Sequence, residues 1–257
     1  MIRFIQALVV LSFVLSTPPL RGETPLPAAL EAKAAAVSAA LATGSNGTSS
    51  SVGRGTIQFI TPELCSGQAS CFGNNPSSPY GLVMVPPVAG EPQLPAGTGI
   101  NIAQLPGHEM HYALREDEAI VLLGNPPGNI VRYFGITPYV FYRYYEGETS
   151  PQIVFSAFGD TLNHSVMRTS SGMMAVIITA DARADQRVRS ALKSAGIVDT
   201  AINTIVVPKS FPLNLGFSNR ADRFAILLRM GLPLNAAAVS SYMAQPPMAV
   251  LRVTPST

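Results

Sequence analysis

The sequence predicts an α+β (mixed α/β) fold, built on a central sheet of five or more strands with helices largely on one face. Three observations carry that expectation. The middle of the chain consists of short β-branched and aromatic runs bounded by Pro, Gly and Asn, the pattern of strands separated by turns. Between residues 173 and 207 a strand, an amphipathic helix and a second strand follow one another, the order of a βαβ unit. Hydrophobic residues make up 47% of the 257 and charged residues 12%, a composition that can bury a sizeable core and excludes a largely disordered chain. A ferredoxin-like two-layer core is the commonest small architecture compatible with this order of elements.

In chain order, Arg3 and the apolar run Phe4–Leu15, broken only by Gln6 and Ser12, read as a signal peptide within residues 1–22. The run is shorter than the ~20 residues a spanning helix requires. Export is the expectation, to a secreted, extracellular or periplasmic location. No second apolar segment reaches spanning length, so no transmembrane segment is expected once the leader is removed. Residues 23–56 read as an Ala-rich helix and a linker. Leu30, Ala34, Val37 and Leu41 recur at helical spacing up to Gly44, and a Ser/Gly/Thr-rich stretch follows to Gly55. Residues 57–257 are expected to form a single globular domain.

Within that domain Ile57–Ile60 and Tyr80–Val85 are strand candidates. They flank Cys65 and Cys71, which in an oxidising compartment read as one short-loop disulfide. Glu118–Leu123 is a buried-strand candidate stopped by Asn125-Pro-Pro-Gly. Val131–Tyr145 and Ile153–Phe158 continue the sheet. Met173–Thr179 begins the βαβ unit. Its helix carries Val188, Ala191, Leu192 and Ala195 on one stripe, Asp181 as N-cap and an Asp185/Arg189 pair, and Ile202–Val207 closes it. Ser218 or Asn219 is expected to start a helix through Arg229. Asn235–Met243 reads as a second short helix and Met248–Val253 as a terminal strand.

The formal net charge of +2 is small and scattered, which argues against nucleic acid as a partner. There is no G-x-S-x-G elbow, Walker-type loop or dinucleotide glycine fingerprint, so neither serine-esterase chemistry nor a cofactor is expected. His108 and His111, with Glu109 and Glu116–Glu118 nearby, are metal-ligand candidates by residue type. Their i, i+3 spacing differs from the i, i+4 of helical zinc motifs. Asp160 and His164 offer a carboxylate that orients an imidazole for general acid–base catalysis. Asn163 heads the sequon Asn163-His-Ser165, and Asn46 heads Asn46-Gly-Thr48. Both sequons matter only in a glycosylating host.

Val131–Tyr145 contains five of the eight tyrosines. On a sheet surface Tyr139 and Tyr145 offer stacking rings, and Arg132 and Arg143 offer forks for anionic groups. Period-two alternation puts Phe141, Arg143 and Tyr145 on one face, expected to be the exposed one. The sequence therefore reads first as an exported binding protein using this aromatic- and Arg-rich surface, and second as an exported enzyme around Asp160 and His164.

Overall fold

Ten strands and three α-helices form among the residues that the structure, a computed structural model, describes: 25–44, 49–61, 78–95, 105–158, 161–208 and 212–256. The leader, Asn46, Cys65, Cys71 and Asp160 lie outside these residues. The order is α1 (Ala28–Thr43), β1 (Ser50–Phe59), β2 (Tyr80–Met84), β3 (Ala119–Gly124), β4 (Val131–Arg143), β5 (Gln152–Ala157), β6 (Leu162–Asn163), β7 (Met174–Thr179), α2 (Ala182–Ser194), β8 (Ile202–Val206), β9 (Arg223–Pro233), α3 (Ala236–Ala244) and β10 (Met248–Pro255).

All ten strands belong to one mixed sheet in the order β5-β4-β9-β2-β1-β10-β3-β7-β8, with β6 paired to β4, and the sheet curls into a half-barrel. This corrects the expected ferredoxin-like α+β architecture. The molecule is mostly β, its neighbours pair antiparallel, and β7 and β8, joined through α2, are the one parallel pair among the described strands. One segment accounts for much of the error. The spacing of Phe224, Leu227 and Leu228 predicts a helix from Ser218 or Asn219 through Arg229, yet Arg223–Pro233 form β9. Strand β9 lies between β4 and β2 and is buried on both faces, and such a strand reads as a continuous apolar run without alternation. A second departure is Ser50–Gly55, which reads as linker by composition but is the first half of β1.

The curl originates partly in that strand. Ser50–Gly55 pairs with β10 and Thr56–Phe59 with β2, so β1 changes partner at Gly55. A side chain there would run into the Met84 carbonyl and the Val250 side chain, so only glycine allows this close approach of three strands. The concave face carries the main core, one cluster that includes Phe134 and Ile136 of β4 and Val176 and Ile178 of β7, although five strands separate β4 from β7 in the sheet.

The convex face is divided. Over β3, β7 and β10 it is covered by α1, through Leu30, Ala34, Val37 and Leu41, and by α2, through Val188, Ala191 and Leu192. Helix α2 starts at Asp181, whose carboxylate accepts from the Ala184 N–H at 2.7 Å. Helix α3 instead packs Val239 and Tyr242 into the main core, so the helices do not share one face. Over β2, β4 and β9 the convex face is covered, among the described residues, by a small cluster that includes Met110, Phe141 and Tyr142. Phe141 and Tyr142 are adjacent in sequence yet both buried, because β4 bulges between Val140 and Tyr142. The bulge breaks the expected alternation and removes Phe141 from the exposed face.

Arg252, on the concave side of β10, is fully buried and every arm of its guanidinium is used. Nε donates to Glu118 Oε1 (3.3 Å), Nη1 to Glu91 Oε2 (2.6 Å) and to the Pro86 carbonyl, and Nη2 to the Ala113 carbonyl (2.7 Å). Glu91 also accepts from the Ala113 N–H, and Glu118 from the Arg115 N–H and the Thr254 hydroxyl. Burial disfavours the charge on Arg252, but Glu118 and Glu91 outweigh it and hold the guanidinium above its usual range. This network fastens the 86–95 and 109–118 loops to the sheet.

Candidate functional site

A cleft of about 490 Å³ opens where β4 and the segment leading into β7 approach each other. One wall runs from the β3–β4 loop into β4 and comprises Pro126, Gly128, Asn129, Val131, Arg132 and Phe134. The other comprises His164, Met167, Thr169 and Gly172. Val131 and Phe134 are core residues of the concave face and Met167 packs against them, so the floor is apolar and continuous with the barrel interior.

The second wall is a strap of irregular chain, pinned at both ends. On the β4 side the His164 N–H donates to the Phe134 carbonyl at 3.0 Å. On the β8 side the buried Asn203 amide clamps Arg168. Its Oδ1 accepts the Arg168 N–H at 2.8 Å and its Nδ2 donates to the Arg168 carbonyl at 2.9 Å. Asn125 Nδ2 donates to the Gly172 carbonyl at 2.9 Å and ties the strap to the opposite wall. The cleft thus has fixed walls although neither wall is regular sheet at that point.

Of the residues singled out in the sequence, Arg132 and His164 are brought together here. Arg132 is exposed and has no ion pair or hydrogen-bond partner among the described residues. His164 meets the Tyr133 ring edge-on with centroids 5.9 Å apart, and its Nδ1 accepts a long 3.5 Å bond from the Phe134 N–H. An accepting Nδ1 leaves Nε2 as the N–H donor of the neutral ring. Tyr133 lies flat along the sheet because Gly135 leaves room for it: a Cβ there would stand 2.6 Å from the Tyr133 hydroxyl. His164 hydrogen-bonds to no carboxylate among the described residues, and Asp160 lies outside them. Asn163, on β6, turns its carbonyl oxygen to the Ser165 N–H at 3.0 Å.

The other candidates are dispersed. His108 and His111 have separate surroundings. His108 Nε2 lies 3.2 Å from the Arg54 carbonyl, whereas His111 is buried against Phe141 and Tyr142 with centroids 4.0 and 4.9 Å away. Burial pushes the His111 imidazole down to about 3, so the ring is neutral at physiological pH. Its Nε2 has no hydrogen-bond partner among the described residues. Burial, reinforced by Glu91, raises the Glu109 carboxyl. No group of three or more His, Cys, Asp or Glu among the described residues is placed to hold a metal ion.

Tyr139 stacks on Phe155 at 4.7 Å and is half-buried on the convex face, where burial raises its hydroxyl pKa. Arg143 is held by Asp222 through two bonds of 2.9 and 2.6 Å and donates to the Pro212 carbonyl, so its fork serves the structure. Tyr145 is 49% exposed and sits beyond that pair. Met167, Thr169 and Asn203 carried no sequence signal, and Asn125 only that of a strand stop. Asn203 and Asn125 act by hydrogen-bonding to chain 35 and 47 positions away, which local pattern does not encode.

No helix among the described residues is long and apolar enough to cross a membrane. Comparison with known proteins finds no matching family model, no matching curated protein and no matching solved structure.

Proposed function

We propose that this is an exported binding protein whose ligand enters the cleft between Arg132 and His164 and continues onto the neighbouring β4 aromatics. One observation carries the reading: an apolar-floored cleft of about 490 Å³, within the size range of small-molecule sites, holds a cationic fork that nothing else in the described structure neutralises. Catalysis by His164 would require a partner that positions its proton. Among the described residues the ring rests on Tyr133 and a backbone amide, an arrangement suited to holding a ligand. Export is supported by the Arg3–Leu15 pattern of the sequence.

The test is a screen of a few hundred soluble fragments against the labelled mature protein, read in ¹H–¹⁵N spectra. Hits are expected to shift the amides of Gly128, Arg132, His164 and Gly172 together. If hits avoid those amides, the reading is wrong. If a hit is instead converted, and His164→Ala stops the conversion, the acid–base enzyme reading replaces it.

A further inference from the structure

We infer that the ligand of this cleft is a small amphipathic monocarboxylate, of the kind represented by a medium-chain fatty acid. The inference rests on the binding reading above and names its ligand class. Among the described residues, the only chargeable ones lining the cleft are Arg132 and His164, and no acidic side chain is among them. A guanidinium fork matches a carboxylate through two parallel N–H···O bonds, and His164, whose Nδ1 accepts from the Phe134 N–H, adds one further donor at Nε2. One anionic head is therefore satisfied, and a second would meet no donor of its own.

The remainder of the site is apolar. Val131, Phe134 and Met167 provide a floor for a hydrocarbon chain. Two exposed apolar side chains, each adjoining a lining residue in chain or register, are assigned to the rim. Val166, next to Met167, is 63% exposed. Leu232, 60% exposed, stands opposite Arg132 between the paired residues Val131–Pro233 and Tyr133–Gly231. Exposed aliphatic groups beside an unneutralised arginine match an amphiphile on both counts: the head meets the fork, and the first carbons of the chain shield the rim.

The backbone supports a built site rather than an accidental gap. Only three non-glycine residues among those described have positive φ, and two adjoin lining residues: Leu232 at 53°, opposite Arg132 in the β4–β9 register, and Ser171 at 50°, next to Gly172. Such strain is retained where the surroundings impose it, and ligand clamps are a common place for it.

The experiment titrates the mature protein with monomeric sodium octanoate and, separately, with octan-1-ol, followed by ¹H–¹⁵N spectra and calorimetry. Octanoate is expected to bind saturably at one site, shifting the amides of Gly128, His164 and Gly172, at least tenfold more tightly than octan-1-ol. Arg132→Gln is expected to weaken octanoate at least tenfold while leaving octan-1-ol unchanged, and Arg229→Gln, on the convex face, to change neither. Equal binding of acid and alcohol, or an unchanged affinity in Arg132→Gln, overturns the inference. Sedimentation with phosphatidylglycerol vesicles without saturable octanoate binding overturns it in favour of a bilayer surface. If octanoate fails while other fragments shift the cleft amides, the carboxylate class falls and the binding reading stands. If both fail, both fall.

Discussion

Arg252 and Arg132 sit on the same sheet and have opposite surroundings. Arg252 is fully buried and every donor is matched, by two carboxylates and two carbonyls. Arg132 is exposed beside an apolar cleft and matched by nothing among the described residues. A buried guanidinium must find its counter-charges inside the molecule or the fold does not form. A guanidinium at a cleft mouth can wait in water for its partner. The difference teaches that the ionic chemistry of this chain divides between holding loops to the barrel and leaving one charge available to a ligand.

The largest effect that separates the two is on stability. Arg252→Met leaves Glu118 and Glu91 buried without their cation and is expected to cost about 3–5 kcal/mol, read from the urea midpoint. Arg132→Gln, at an exposed position, is expected to stay within about 0.5 kcal/mol while losing octanoate binding. A comparable loss of stability in both variants would remove the distinction. Next in size is Asn203→Ala. It strips the strap of its clamp and leaves the Arg168 N–H and buried carbonyls without a partner, at a cost of about 2–3 kcal/mol. Because the clamp also positions the cleft wall, octanoate affinity is expected to fall with it. A stability loss without an affinity loss would show that the strap does not shape the site.

His111 gives a pH-dependent version of the comparison, a buried polar group with no counter-charge among the described residues. Its folded ring takes a proton near pH 3, the unfolded ring near 6.5. Between those values the unfolded state holds more protons, so this contribution is fully present above about pH 6.5 and is lost as pH falls, by about 2 kcal/mol at pH 5. His111→Phe is expected to flatten that part of the stability–pH curve and to be neutral or stabilising at pH 8, because Nε2 has no partner to lose. An unchanged acid slope in the variant would place the titration elsewhere.

Legibility in the sequence followed the physics of each element. Helix α1 was readable because Leu30, Ala34, Val37 and Leu41 cover exposed sheet with one stripe, and the same four residues are the buried ones. Helix α2 was readable for the same reason and because Asp181 caps it. Strand β9 was not, because burial on both faces erases alternation, and the polar start of β1 was not, because its pairing with β10 is invisible locally. At the site, Arg132 and His164 could be named from residue type, but their meeting depends on the pairing of β6 with β4, about 30 positions apart in sequence, which local pattern does not show. Arg143 shows the converse: the residue type suggested a ligand fork, and Asp222, 79 positions away, takes it.

The smallest expected effect concerns Leu232, where the two roles of the cleft region, structural and receptive, pull in opposite directions. Its φ of 53° places a leucine in the left-handed region, where the Cβ crowds the following carbonyl. The side chain is 60% exposed, so little burial is lost with it. Leu232→Gly is therefore expected to relieve the backbone and raise stability by about 1 kcal/mol, visible as a higher urea midpoint. The same change removes the aliphatic group opposite Arg132, so octanoate is expected to bind two- to threefold more weakly, with octan-1-ol affected equally because the loss lies in the chain contact and not in the head group. A gain in stability with unchanged affinity for both probes would take Leu232 out of the rim and confine recognition to Arg132, His164 and the apolar floor.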